Sequence, residues 1–320
     1  MKISPRIASL ISASALVLAA CGGESSSSTT TSPAVAELTI ATAFYPLTEI
    51  VDRVSEGLSI DIVNLTPPGV GAHDHELTAS QLDDLTKVDA VFFLGGGLQP
   101  SVEKAVTQLG AGITAVNLMD HVQTIDAAKA EKDSDHDHDH GHSDSDTDPH
   151  VWLDPANMVS MTAAVVATLT TLSPENTTAF DTNAASYVAE LEKLGTTIDD
   201  TFTTCVSRAL VTSHDAFGYF AARAKLDTVP IAGVNPENEP SAKELEEIAQ
   251  VAREAQATTV FFEAQLPEAL AKTVASSIGA EVDVVDPIET ISQADLTAGE
   301  TYISIQMKNI ASVAKGLRCS

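Results

Sequence analysis

Three histidines and one aspartate in this chain stand in loops, where side chains are free to do chemistry. His73 lies in Gly69-Val70-Gly71-Ala72-His73-Asp74-His75-Glu76, and His150 in Asp148-Pro149-His150-Val151-Trp152-Leu153-Asp154-Pro155. His214 lies in Ser213-His214-Asp215-Ala216-Phe217-Gly218-Tyr219-Phe220, and Asp286 opens Asp286-Pro287. A lone histidine is more often structural or exposed than a ligand. Three of them with a strand-end aspartate form the nitrogen and oxygen donor set that fills the four-coordinate shell of zinc. The ligands are dispersed, so no compact zinc signature marks them. The chain also lacks a His-Glu-x-x-His helix and a clear nucleophile with its base.

A second feature points to the same class of ion. Asp133 to Asp148 holds four of the nine histidines (His136, His138, His140 and His142) among seven aspartates, with no lysine or arginine. Alternating imidazoles and carboxylates attract a divalent cation of the zinc type. The plainer reading is a flexible acidic linker that happens to be His-rich. Either way the segment is too polar to bury a core, and it is expected to be a mobile surface loop over residues 127–148.

The elements that must position these residues alternate as short apolar strands and amphipathic helices, the pattern of a parallel sheet covered on both faces. Leu38 to Ala43, Ile60 to Leu65, Ala90 to Leu94 and Ile113 to Asn117 read as strands, with helices from Tyr45 to Gly57, Thr78 to Thr86 and Ser101 to Gln108. After a helix from Asn157 to Leu172, Ser173-Pro174-Glu175 supplies a cap and a first-turn proline, and apolar residues follow at 180, 184, 187, 191, 194, 198 and 202. A helix from Pro174 to Thr203 would span about 45 Å, longer than one lobe requires, and is expected to join two lobes as a rod. The alternation then resumes. Strands are expected at Leu210 to Thr212, Thr228 to Ile231, Thr259 to Phe262 and Val282 to Val285, with helices at Ala216 to Ala224, Ala242 to Ala257, Pro267 to Ile278 and Ile303 to Leu317. The expected fold is therefore α/β, with one lobe over residues 37–172, a linking helix over 173–204 and a second lobe over 205–320. His73, His214 and Asp286 then fall at or beyond the C-terminal ends of strands, where such sheets place functional groups.

The ends of the chain carry their own signals. Lys2 and Arg6 precede an apolar stretch from Ile7 to Ala20, too short and interrupted for a membrane span, so residues 1–20 read as a signal peptide. Leu18-Ala19-Ala20-Cys21-Gly22 resembles the lipobox of bacterial lipoproteins, which implies acylation of Cys21, with residues 21–36 as a Ser/Thr-rich tether. Without the signal, 15 basic residues face 45 acidic ones, a net charge of −30. That balance argues against nucleic acid or anionic lipid as a partner. Two cysteines remain, Cys205 and Cys319, and in an exported protein a lone pair is expected to form a disulfide.

Taken in order, the lipobox, the loop His-Asp-x-Glu-Leu-Thr, the block Asp-Pro-His-x-Trp-Leu-Asp-Pro and the block Ser-His-x-Ala-Phe-Gly-Tyr-Phe resemble the zinc/manganese-binding lipoproteins of ABC metal-uptake transporters. Phe261-Phe262-Glu263 and Asp286-Pro287 extend the likeness over nearly all of the chain beyond the signal. The resemblance implies two similar α/β lobes joined by one rigid helix, with the metal in the interlobe cleft. It implies His73, His150, His214 and Asp286 as ligands, and a monomer anchored by lipid to the outer face of the bacterial cytoplasmic membrane that hands its ion to an ABC permease. The family commonly has a proline or acidic residue before the first histidine, where this chain has Gly71-Ala72. His75, at a position usually aromatic, is an alternative ligand. Manganese-type relatives usually place a glutamate at the third position; His214 and the His-rich tract favour Zn2+ as the bound, transported ion. Glu263, after a strand, reads either as an acceptor that orients a ligand histidine or as a solvent-exposed loop carboxylate. Other functions remain open: a manganese-binding receptor of the same family, an exported zinc-dependent hydrolase with Asp286 as base, or an adhesin or structural lipoprotein. The leading expectation is a receptor and not an enzyme, because catalytic zinc keeps one coordination position for water.

Overall fold

The computed structural model describes residues 38–126, 147–236, 240–263 and 268–320. Expectations for the signal peptide, Cys21, the tether and His136, His138, His140 and His142 lie outside these residues.

The first sheet comprises β1 (Leu38–Thr42), β2 (Ile60–Asn64), β3 (Ala90–Phe93) and β4 (Thr114–Asn117), all parallel in the order β2-β1-β3-β4. Its helices are α1 (Tyr45–Val54), α2 (Ala79–Leu85) and α3 (Pro100–Val106). Central β1 is buried on both faces, with Ile40 and Ala41 fully covered, which is why it reads as a continuous apolar run.

Two helices follow, α4 (Pro155–Leu172) and α5 (Thr177–Thr201), packed side by side. Asp154 caps α4 through the Ala156 N–H. Although α4 is long and apolar enough to cross a membrane, Met158, Met161, Val165 and Leu169 are fully buried in the core. The expected rod begins three residues late: Pro174–Asn176 forms a 3-10 turn because the Asn176 N–H bonds back to the Ser173 carbonyl at 3.1 Å. The periodic residues Phe180, Ala184, Tyr187, Leu191, Leu194, Ile198 and Phe202 are all buried, and α5 touches α1 on one side.

The second sheet repeats the order of the first. Its strands β5 (Ala209–Thr212), β6 (Asp227–Pro230), β7 (Thr259–Glu263) and β8 (Glu281–Val285) run parallel as β6-β5-β7-β8. Its helices are α6 (Gly218–Ala224), α7 (Ala242–Glu254), α8 (Glu268–Ile278), α9 (Gln293–Ala298) and α10 (Tyr302–Gly316), of which the short α9 has no counterpart in the sequence-based expectation. The carboxyl ends of each sheet carry a topological switch point, between β1 and β3 and between β5 and β7, where doubly wound sheets hold their ligands.

One apolar core runs from the first sheet through α1, α4 and α5 into α6 and α10, while a smaller cluster lies under α7 and α8. Arg223 on α6 adds polar ties, reaching Asp154 at 3.1 Å and Asp199 at 2.8 Å. Cys205 and Cys319 are joined in a disulfide that pins the last turn of the chain to the segment after α5. Closing so long a loop stabilises the fold by roughly 4–5 kcal/mol, the upper end of the chain-entropy scale. Thiol titration of the unreduced, denatured protein is expected to find no free thiol at Cys205 or Cys319; two titrating thiols would sink the assignment.

Candidate metal centre

Three loops and one turn converge at the carboxyl ends of the two sheets. His73 arrives from the loop after β2, His150 from the segment before α4, and His214 two residues beyond β5. Together with Glu289 they form a cluster whose donor atoms all lie within 4.8 Å of one another. The His73 and His150 Nε2 atoms are 3.3 Å apart. Glu289 Oε1 lies 3.1 Å from His214 Nε2, 3.3 Å from His73 Nε2 and 3.6 Å from His150 Nε2. A tetrahedral zinc ion with bonds of about 2.0–2.1 Å separates its donors by about 3.3–3.4 Å. Those four separations, 3.1–3.6 Å, bracket that edge, and the remaining ones stay within 4.8 Å.

The backs of two rings are fixed by carboxylates. His150 Nδ1 donates to Asp148 Oδ1 at 2.8 Å, and the His150 backbone N–H donates to the same oxygen at 2.9 Å. His214 Nδ1 donates to Glu263 Oε2 at 2.5 Å, while its N–H donates to Glu263 Oε1 at 3.0 Å. An acceptor at Nδ1 selects the tautomer whose lone pair sits on Nε2, facing the cluster. Trp152 packs its ring against His150, with centroids 5.3 Å apart, and its indole N–H donates to the Pro287 carbonyl at 2.7 Å.

Burial would by itself hold both rings neutral, but their acidic neighbours outweigh it. His214 is lifted by Glu263 and Glu289 to about 10, and His150 is raised by Asp148 and Glu289. Glu289, which burial alone would push up, is held well below the usual carboxylate range by hydrogen bonds from His150, His214 and His73. The cluster therefore favours positive charge at its centre.

Asp286, the expected fourth ligand, does not join this cluster. Its Oδ1 accepts the Ile288 N–H at 2.7 Å, closing a turn on its own backbone, and its N–H donates to Asn309 Oδ1 at 2.8 Å. Burial raises its carboxyl to about 6. It still lines the same cavity of about 260 Å³, with Asp74, Glu263 and Glu289. The turn carries the chain through Ile288 at φ 58°, a left-handed conformation rarely adopted by a β-branched residue, which brings Glu289 round to the histidines. Glu289 is not among the ligands expected from the sequence because only this turn gives it a direction; the one signal for it is a second carboxylate three residues past the strand-end aspartate. Asp148, expected within the mobile tract, is instead 2% exposed and holds His150. His75 turns away and sits 3.4 Å from Gln81 Nε2, and His121 lies exposed at the end of a 3-10 turn, Leu118–His121.

A family model described as zinc-uptake complex component A, periplasmic (ZnuA), matches residues 40–316. The chain belongs to that family. It is 30% identical over 309 residues to the high-affinity zinc uptake system protein ZnuA of Bacillus subtilis, covering 96% of each. It is 28% identical over 310 residues to the zinc-binding lipoprotein AdcA of Streptococcus pneumoniae, covering 97% of this chain and spanning 60% of that relative's length. Among solved structures, the Zn(II)-bound ZnuA-like domain of Streptococcus pneumoniae AdcA superposes with a TM-score of 0.72 at 25% identity, covering 88% of this chain and 98% of that one. The laminin-binding protein Lmb of Streptococcus agalactiae shares the fold, with a TM-score of 0.76 at 23% identity over 88% of this chain and 99% of that one.

If Glu289 is the oxygen donor, Glu289→Gln is expected to weaken zinc binding far more than Asp286→Asn, measured by competition with a chromophoric chelator. Glu263→Gln should cost about 10–100-fold, the range for a group that orients a ligand. Equal losses for Asp286→Asn and Glu289→Gln would overturn the assignment.

Proposed function

We propose that this chain is the zinc-capturing receptor of an ABC importer, working outside the cytoplasmic membrane under a lipid anchor at Cys21. It binds Zn2+ through His73, His150, His214 and Glu289 and passes it to the permease. The observation that carries this reading is the set of four donors converging within 4.8 Å of one another, three of them imidazole nitrogens. Such a set suits zinc better than a harder ion, which prefers oxygen. Four protein donors also fill the shell, leaving no position for the water that zinc hydrolysis needs. Family membership and the zinc-named relatives support the same reading.

The lobes are tied across the site. Gly69 N–H donates to the Ile291 carbonyl and to Thr290 Oγ1, both at 3.0 Å, and the Tyr302 hydroxyl donates to the Trp152 carbonyl at 2.6 Å. Together with the shared core, these bonds favour release through local movement of the ligand loops over swinging of whole lobes.

Metal binding also displaces protons. In the metal-free site the His214 ring, with its pKa near 10, carries a proton on Nε2 at neutral pH, where the ion would bond. Zinc needs that nitrogen bare, so affinity rises with pH through neutrality and falls as pH drops, by up to about tenfold per unit for each displaced proton. Calorimetry at pH 7 in buffers of different ionisation enthalpy is expected to show at least about one proton released per zinc, from His214. Absence of proton release would contradict this site. Titration of the chain lacking residues 133–147 should retain one tight zinc and lose only weaker ones; loss of the tight zinc would move the principal site into the deleted tract.

A further inference from the structure

His150 is oriented by Asp148, but Asp148 belongs to no helix or strand, so something else must hold it. The structure shows what does. The Tyr219 hydroxyl, on α6, donates to the Asp148 carbonyl at 2.9 Å and accepts the Ile125 N–H at 3.1 Å. The Asp148 N–H in turn donates to the Ile125 carbonyl at 3.0 Å, and Asp126 and Thr147 pair in an antiparallel bridge. Ile125 and Asp148, separated in sequence by 23 positions, are thereby fastened to each other and to the second lobe through one oxygen atom. Tyr219 is 4% exposed and Asp148 2%, so water does not replace these bonds.

The residue before Tyr219 fits the same purpose. A Cβ added to Gly218 would lie 2.5 Å from Asp148 Oδ2 and 3.1 Å from Ile125 Cδ1. Only a glycine lets α6 begin this close to the carboxylate. We propose that Tyr219, seated by Gly218, is a positioning residue for zinc capture: it fixes Asp148 and, through Asp148, the tautomer and direction of the His150 ring. The proposal rests on the zinc-receptor reading above and gives that site a support from the opposite lobe. Burial lifts the Tyr219 hydroxyl to about 12, so it remains a neutral donor throughout the physiological range.

The chain of contacts makes a specific demand. The Tyr219 hydroxyl bonds to Asp148 and Ile125 and not to a proposed ligand, so its removal should leave stoichiometry intact and alter only the quality of His150 as a ligand. Outer groups that hold a ligand histidine typically matter by about 10–100-fold in affinity, and a group one bond further away is expected at the low end.

The test uses Tyr219→Phe, which keeps the ring and deletes the hydroxyl, in the purified full chain. Zinc affinity is measured by chelator competition at several pH values, and ligand geometry by the visible absorption of the cobalt(II) form. The expected result is one metal per chain, an affinity lowered on the order of tenfold, and a changed cobalt spectrum. Tyr219→Phe added to Asp148→Asn should change little more, because the path is already cut. Gly218→Ala, which displaces Asp148 from the other side, should reproduce the loss and decides the question if Tyr219→Phe does not fold. A lowered melting temperature with zinc affinity and cobalt spectrum unchanged would reduce Tyr219 to a packing residue and overturn the proposal. So would fully additive losses with Asp148→Asn. A parent protein that binds no zinc would instead overturn the receptor reading, and the proposal with it.

Discussion

Three imidazole nitrogens and a carboxylate oxygen aimed at one point repel one another unless positive charge lies between them. Everything else about the structure serves to hold them there despite that repulsion. Asp148 and Glu263 grip two rings from behind, so that neither can rotate its Nε2 away. The same acidic neighbours raise the proton affinities of His150 and His214, so positive charge beside Glu289 is favoured. A cation bound between these groups answers the same electrostatic demand that raises the ring proton affinities.

Such a site requires rigid surroundings, because misplacing one ring by a fraction of an ångström loses the tetrahedral edge. The rigidity comes from burial shared between the lobes. The main core is continuous from β1 through α4 and α5 to α10, and Trp152 sits where the lobes meet, bonded on one side to Pro287 and on the other to Tyr302. Cys205–Cys319 closes the far end of the second lobe, away from these loops. The cost of preorganisation is concentrated at Ile288, whose left-handed backbone stores about 1–3 kcal/mol so that Glu289 reaches the histidines.

Much of this was legible before any coordinates. Parallel strands buried on both faces are short apolar runs, and the eight expected strands appear within a residue or so of their expected limits. The step of four and three along 180–202 marks the buried face of α5 without ambiguity. The three histidines stand out in the sequence because they lie in motif blocks that resemble those of one family, and the structure brings them within 4.8 Å of one another. Less visible were features that depend on what a side chain meets across the fold: the 3-10 start of the rod, the burial of Asp148 and the role of Tyr219.

The fourth donor shows where that line falls. Local pattern places an acidic residue, Asp286, at the end of β8, and the family resemblance implies it as the fourth ligand. Pattern alone does not say whether Asp286 or Glu289 faces the histidines, since both are carboxylates on one short loop. The decision belongs to tertiary structure: Asp286 spends its oxygen on the Ile288 N–H, Asn309 anchors its backbone, and the left-handed turn at Ile288 swings Glu289 inward. Residue types and their periodicity determined which elements form and which chemistry is present. Backbone direction in one turn, set by hydrogen bonds between distant parts of the chain, decided which carboxylate stands beside the three histidines.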